Sequence, residues 1–330
     1  MIDDWACPMR SSVPGHTNWK RACSSIPLPA TGSRLSISLL TVRHVTIYRY
    51  SEPVGLGVHR MMFRPRESHD LKLLSTRLRI TPILAGLRWL HDVFDNFVAI
   101  AEFDGLTSEL RFESIVTPQH FETTLPDYAL EEYANTFPLR YSEEDLPNLE
   151  RALARHYPGD NTRHWAGQFP NPSGTTGSMK LLRSMTRGIK EQFNYIRRGK
   201  KGVQSPDERL QSRSGSCREF AVLMMEVTRS LGSAARFVSG YIFVPGSDTS
   251  VTGGGATHAW MQAYLPGAGW IDSDPTNSIV SNRNLIRVAV AWSPSLVLPL
   301  WGTFERSTNS FLGMDATVSV TEESPGHDGP

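Results

Sequence analysis

Gly215-Ser216-Cys217-Arg218-Glu219-Phe220-Ala221 is the stretch that decides the fold. It sets a cysteine just after a glycine-led turn and in the first turn of an apolar, helix-patterned run, Phe220 to Leu231. The first N–H groups of a helix have no partners within it, and the helix dipole adds partial positive charge at that end. A free thiol titrates near ~8.5, and a helix N-terminus or basic neighbours can bring that to roughly 3.5–7.5. The thiolate is the reactive form. A nucleophile is therefore expected here, and a buried structural cysteine stands as an equal alternative on this stretch alone.

Working outward, Phe220, Leu223, Met224, Val227 and Leu231 make an apolar helical stripe, with Gly232 as its stop. Upstream, Ser205-Pro206-Asp207-Glu208 has the form of a capping box opening a short helix. Before it, Leu182, Met185, Ile189 and Phe193 mark an amphipathic helix over 179–195. Downstream come a β-run at 237–244, a Gly/Ser/Thr loop at 246–255, and strands at 256–265 and 270–274 joined by Pro266-Gly267-Ala268-Gly269.

Cysteine-based acyl transfer needs a thiolate, a base within hydrogen-bond reach and a group that orients the base. Only His258 and His327 follow Cys217, and His327 lies in a Gly/Pro tail. His258 opens one hairpin strand, and Asp272 and Asp274 lie on the other. Strand parity then sets a condition. If Leu265 opposes Trp270, His258 and Asp274 fall on opposite faces of the sheet. If Leu265 opposes Gly269, they share a face as diagonal neighbours roughly 7 Å apart. A triad requires the second register.

Composition bounds the rest. A chain of 330 residues is long enough for two cores. A net charge of +1 gives no global pull toward nucleic acid or an anionic membrane. No apolar run approaches the ~20 residues of a membrane span. The opening Met1-Ile2-Asp3-Asp4 lacks the basic-then-apolar form of a signal peptide. Three cysteines, Cys7, Cys23 and Cys217, argue against a disulfide framework and suit a reducing compartment, so a cytoplasmic location is expected. No Cys-x-x-Cys or His-x-x-x-His spacing points to a metal, and the 246–255 loop has only Asp248 as a carboxylate.

Residues 1–40 read as a disordered leader, in which Cys7 and Cys23 look incidental. Residues 41–120 read as a small β-sandwich. Its strands are expected at 41–50, 60–63, 76–81, 97–103 and 109–116. His44, His59 and His69 are assigned to packing there, and Trp89 to a core. A proline-rich connector spans 121–176, with a short helix near Leu146, Leu149 and Leu153. The second domain covers 177–320 and a disordered tail 321–330.

The motif blocks together resemble the bacterial transglutaminase-like superfamily. They are Gly215 to Ala221, Arg229-Ser230-Leu231-Gly232, Ala235 to Tyr241, His258-Ala259-Trp260, and Gly269 to Asn277. Val42 to Tyr50 and His91 to Phe97 more loosely resemble the β-rich region that precedes this domain in many bacterial members. Two departures stand out: Glu219 where the family has Asp, and Ala289 to Ser293 where it often has Gly-Arg-Asp-Tyr.

The resemblance implies an α+β fold with a papain-like core, in which a helix bearing Cys217 packs on an antiparallel sheet bearing His258 and Asp274. It implies that these three form a catalytic triad; on the residue spacing given above, no cofactor or metal is expected. The expected reaction is attack on a peptide or glutamine-side-chain amide through a thioester on Cys217, resolved by water or an amine. Peptide or protein is the expected substrate. Tyr241, Trp260 and Trp270 are candidate cleft walls, with core packing as the alternative for each. A non-catalytic peptide-binding or scaffolding member of the same fold is the competing class.

Overall fold

Alternation along residues 38–46 translates directly into structure, since Leu40, Val42, His44 and Thr46 are all buried. In the computed structural model, which describes residues 37–121, 129–197, 202–245, 251–281, 284–305 and 310–323, they lie on a single long strand, β1 (Ile37–Met61). The expected strands at 41–50 and 60–63 are thus one. The intervening Ser51-Glu52-Pro53-Val54-Gly55-Leu56-Gly57 is absorbed as an irregularity in pairing. Between Arg49 and Val54 the partner strand advances only from Glu109 to Thr107. β2 (Leu71–Thr81), β3 (Leu84–His91), β4 (Phe97–Phe103) and β5 (Leu106–Phe121) complete the N-terminal strands. The first half of β1 pairs with β5 and the second half with β4, so one strand serves both halves of the sheet. Tyr50, Val54, Met61, Phe63, Ala99, Ala101, Leu110 and Phe112 form the core between them. Trp89, assigned to a core on sequence, is half exposed on edge strand β3, which the sequence did not reveal.

The segment expected as a connector is packed. β6 (Thr136–Phe137) pairs with β7 (Thr176–Gly177), and between them lie α1 (Leu146–Leu153) and α2 (Asn161–Ala166). Trp165 and Ala166 of α2 enter the main core. α3 (Ser178–Gln192) follows. β8 (Asn194–Tyr195) then pairs in parallel with β9 (Ser214–Gly215), which flanks α4 (Pro206–Ser212). Ser205 caps α4 as the sequence predicts, accepting from the Glu208 N–H while Glu208 accepts from the Ser205 N–H.

α5 (Cys217–Ser230) is the central helix. The sequence predicts one apolar stripe, yet every residue from Glu219 to Arg229 is buried. The cause is that α5 touches a sheet as well as α2, α3 and α4. The sheet runs β13-β12-β11-β10-β14, built from β10 (Ala235–Ile242), β11 (His258–Leu265), β12 (Gly269–Asp274), β13 (Ile279–Val280) and β14 (Leu285–Ala291).

The chain then returns. β15 (Leu300–Glu305) and β16 (Phe311–Glu323) both pair with β1, making the N-terminal sheet seven-stranded. The expected boundaries of 177–320 and 321–330 are corrected accordingly. Leu300–Glu305 and Phe311–Glu323 belong to the N-terminal sheet, so Thr321–Glu323 are strand. β1 likewise begins at Ile37, inside the expected leader. The remainder of that leader, with Cys7 and Cys23, and His327 in the tail lie outside the described residues.

The two sheets share a core. Leu40, Val42, Leu71, Val98, Val116 and Val318 from the N-terminal sheet cluster with Phe220, Phe237 and Met261. The edge of β14 is capped by side-chain and backbone groups from the N-terminal strands. Asn96, fully buried, donates to Val290 O (2.9 Å) and accepts from Val290 N (2.9 Å), and Arg66 N donates to Arg287 O (2.8 Å). No helix among the described residues is long and apolar enough to cross a membrane.

Candidate active site

The site begins with the turn before α5. Ser216 is the N-cap, and Glu219 accepts from its N–H (2.9 Å) and its hydroxyl (3.2 Å). This places Cys217 at the first helical position, where its own N–H has no acceptor within the helix. Glu219, a departure from the family pattern, is thus a buried helix-start acceptor.

The hairpin adopts the register a triad requires. Leu265 opposes Gly269 and Met261 opposes Ser273, so His258 and Asp274 share a face. Nε2 of His258 donates to Oδ2 of Asp274 at 2.8 Å, and both side chains are fully buried. Asp274 also accepts from Asn277 Nδ2 (2.8 Å) and Thr276 N (2.9 Å). A carboxylate held by three donors, one from a ring, fixes the imidazole with its proton on Nε2 and leaves Nδ1 free to face the thiol. Nδ1 is buried with no partner of full hydrogen-bond geometry.

Electrostatics ties the three groups together. Burial pushes the Cys217 thiol up. The hydrogen bond and charge of His258, with the Ala259 N–H, outweigh it and leave the thiol lowered. Burial pushes His258 down, but Asp274 and then Cys217 reverse that and raise it to about 10. The two opposite shifts favour the charged form of each group.

The loop before β11 closes over the ring. Thr252 N donates to Asn277 Oδ1 (2.7 Å), and Asn277 Nδ2 donates back to Thr252 O (3.0 Å). This sets Gly253 against the imidazole. Its φ is +104°, and a Cβ there would lie 2.6 Å from Nδ1. Only glycine suits that position.

The three candidate cleft walls are packed side chains. Tyr241 is buried, with its hydroxyl 3.0 Å from Nδ1 of His44, whose Nε2 lies 3.1 Å from Thr46 Oγ1. It ties β10 to β1, and His44 is a buried link between the two sheets, held neutral by burial, which lowers it to about 4. Trp260 is fully buried beneath His258, ring centroids 5.9 Å apart and planes inclined by 26°. Trp270 lies at the turn end of the hairpin under Arg236 and against Tyr264. Each follows the packing alternative.

Sequence reasoning missed Tyr195. The β8–β9 bridge sets it opposite Gly215, two residues before Cys217. Burial first, then the charges of Cys217 and Asp274, raise its hydroxyl pKa, which puts it within electrostatic reach of both. It also missed Asn277 as the clamp on Asp274, although Asp-Pro-Thr-Asn is plain in the sequence.

Residues 40–117 match the bacterial transglutaminase-like N-terminal region, and residues 168–275 match the transglutaminase-like superfamily. An uncharacterized protein of Mycobacterium tuberculosis is 29% identical over 317 residues, covering 91% of this chain and 96% of that one. A protein-glutamine gamma-glutamyltransferase of Pseudomonas aeruginosa is 33% identical over 89 residues, 25% of this chain and 13% of its own length. Among solved structures, a candidate cysteine protease from Cytophaga hutchinsonii shares the fold at TM-score 0.63 and 16% identity, covering 88% of this chain and 92% of that one. The chain thus carries a transglutaminase-like core, preceded by the bacterial transglutaminase-like N-terminal region.

Proposed function

We propose that the protein is a cysteine-dependent enzyme acting on amide bonds of peptides or glutamine side chains, with Cys217 as nucleophile, His258 as base and Asp274 as its orienting partner. The observation that carries this reading is the buried 2.8 Å bond from His258 Nε2 to Asp274, which leaves the opposite ring nitrogen available to the thiol at the start of α5.

The chemistry follows from those positions. His258 takes the proton of Cys217 and holds it on Nδ1. The thiolate attacks the amide carbon, and the carbonyl π-pair moves to oxygen. The Cys217 N–H, at a helix start, is a natural donor to that oxyanion. Collapse expels the amine, which takes the proton from His258 Nδ1 and leaves a thioester. Water or a second amine then loses a proton to Nδ1 and attacks the thioester. The products are a free acid or a new amide, and the thiolate–imidazolium pair is restored. Asp274 stabilises the imidazolium throughout without taking the proton. Both outcomes pass through the same thioester, so these residues serve a hydrolase and an acyltransferase alike. The short match to a protein-glutamine gamma-glutamyltransferase supports testing glutamine first.

The test is mass spectrometry on a glutamine-containing peptide library, with and without added primary amine, on wild type and Cys217→Ala. Deamidation, cleavage or amine incorporation that vanishes in Cys217→Ala is expected. Turnover surviving in Cys217→Ala would mean that the nucleophile is another group. No turnover in wild type, with an unreactive Cys217, would favour a peptide-binding role.

A further inference from the structure

The face of the five-stranded sheet that carries His258 also carries a chain of polar contacts leading away from the catalytic groups. Trp260 donates its indole N–H to Oδ1 of Asp272 (2.7 Å). Oδ2 of the same carboxylate accepts from Arg287 Nη1 (2.8 Å). Arg287 then reaches the segment between β1 and β2, donating through Nη2 to Ser68 Oγ (2.7 Å) and Asp70 Oδ1 (2.5 Å). The arginine lies on β14 opposite Gly240, which in turn opposes His258. Gly240 holds the indole from the other side, since a Cβ there would stand 2.7 Å from Trp260 Cη2 and 2.2 Å from Ile286 O. One edge of the indole is thus hydrogen-bonded, the opposite edge abuts bare backbone, and the imidazole lies over its face.

We propose that Asp70 and Arg287 are positioning residues, through which the N-terminal region holds the Trp260 plane and with it the orientation of His258 toward Cys217. The proposal rests on the reading of His258 as the base. The physical argument is one of missing constraint. The bond to Asp274 fixes one ring nitrogen but leaves the imidazole able to rock about that contact. The indole underneath removes that freedom only if it is itself immobile. A fully buried indole N–H has one donor to place, and Asp272 takes it. Asp272 in turn keeps its geometry only while Arg287 holds its second oxygen, and Arg287 is anchored by Asp70.

Other charges face this network. Arg66 and Arg236 stand beside Arg287 and Asp272, and His69 beside Asp70. Asp274 and Cys217 face His258, and Tyr195 faces the thiol. Asp70 is held down at about 2, where burial is outweighed by Arg287 and Ser68, so it is ionised wherever the enzyme would work.

The test uses the full chain and follows the rate of Cys217 alkylation by iodoacetamide against pH, read on the Cys217 peptide by mass spectrometry. Melting temperature is measured alongside. In Asp70→Asn the acid limb should move upward, so that alkylation near ~pH 6 falls about 3- to 10-fold while the alkaline plateau holds. Asp70→Glu should restore most of the loss. Trp260→Phe, which keeps a ring but loses the N–H, should shift the limb the same way, and it decides the matter if Asp70→Asn does not fold. A lowered melting temperature with an unmoved profile in both variants would overturn the proposal, provided Asp274→Asn moves the limb. If Asp274→Asn leaves the profile unmoved as well, the assignment of His258 as base is what fails.

Discussion

The two ends of α5 each bury charge, and they use it in opposite ways. At the C-terminal end Glu226 and Arg229, both about 1% exposed, form a 2.9 Å ion pair. Arg229 Nη1 serves the pair itself, and each other side-chain oxygen and nitrogen of the two has a partner outside it. Glu226 accepts from the N–H groups of His156 and Tyr157, and Arg229 donates to Ala152 O, Ala235 O and Trp292 O. At the N-terminal end His258 and Asp274 are buried as deeply, yet His258 Nδ1 has no partner of full geometry and Cys217 is only half-buried. A satisfied buried pair holds backbone segments together. A pair with one valence left open beside a thiol is what the proposed proton transfer requires. The cavity of about 290 Å³ lined by His156, Glu226, Arg229 and Trp292 adjoins the satisfied end, so it is not where the chemistry is expected.

Substitutions can break this contrast. Arg229→Met strands Glu226 as an unpaired buried charge and should cost about 3–5 kcal/mol in chemical denaturation. Glu226→Leu combined with Arg229→Met should recover much of that. The folded fraction of either variant should alkylate Cys217 at a near wild-type rate. A large fall in alkylation would show that the two ends are coupled. Gly253→Ala adds a Cβ against His258 Nδ1 at a positive φ and should cost about 1–3 kcal/mol. Here the cost should appear as lost reactivity of Cys217 as well as lost stability. Unchanged reactivity would mean that the loop does not bear on the imidazole. Asn277→Ala removes one of three donors to Asp274 and should slow turnover about 10-fold. The pH dependence should shift with it, because a less firmly held carboxylate stabilises the imidazolium less.

The same contrast marks what could be read from the sequence. Groups close in the chain or bound by strand parity were legible: the cysteine at a helix start, the Ser205 capping box, and the one register that puts His258 and Asp274 on a common face. Pairings over long separations were not. Residues 311–323 alternate like any strand, and nothing in them names β1 as their partner. Ser51 to Gly57 carries Pro and Gly and falls between two expected strands, although tertiary pairing holds it within β1. Tyr241 and Trp260 look like cleft walls from motif position alone. Their burial is set by His44 and Asp272, groups whose nearness only the fold reveals. Asn96 lies in the His91 to Phe97 block, but nothing in that block names Val290, to which it makes two bonds, as its partner.

The central claim is that Cys217 and His258 share a proton as an ion pair. The direct measurement is the rate of Cys217 alkylation against pH in wild type and His258→Ala. The lowered thiol and a histidine raised to about 10 place the ion-pair window between the thiol's depressed pKa and about pH 10. Wild type should therefore react well below the ordinary thiol range near ~8.5. His258→Ala should lose the acidic part of the profile and react only as the free thiol ionises. Superimposable profiles for the two proteins would contradict the account.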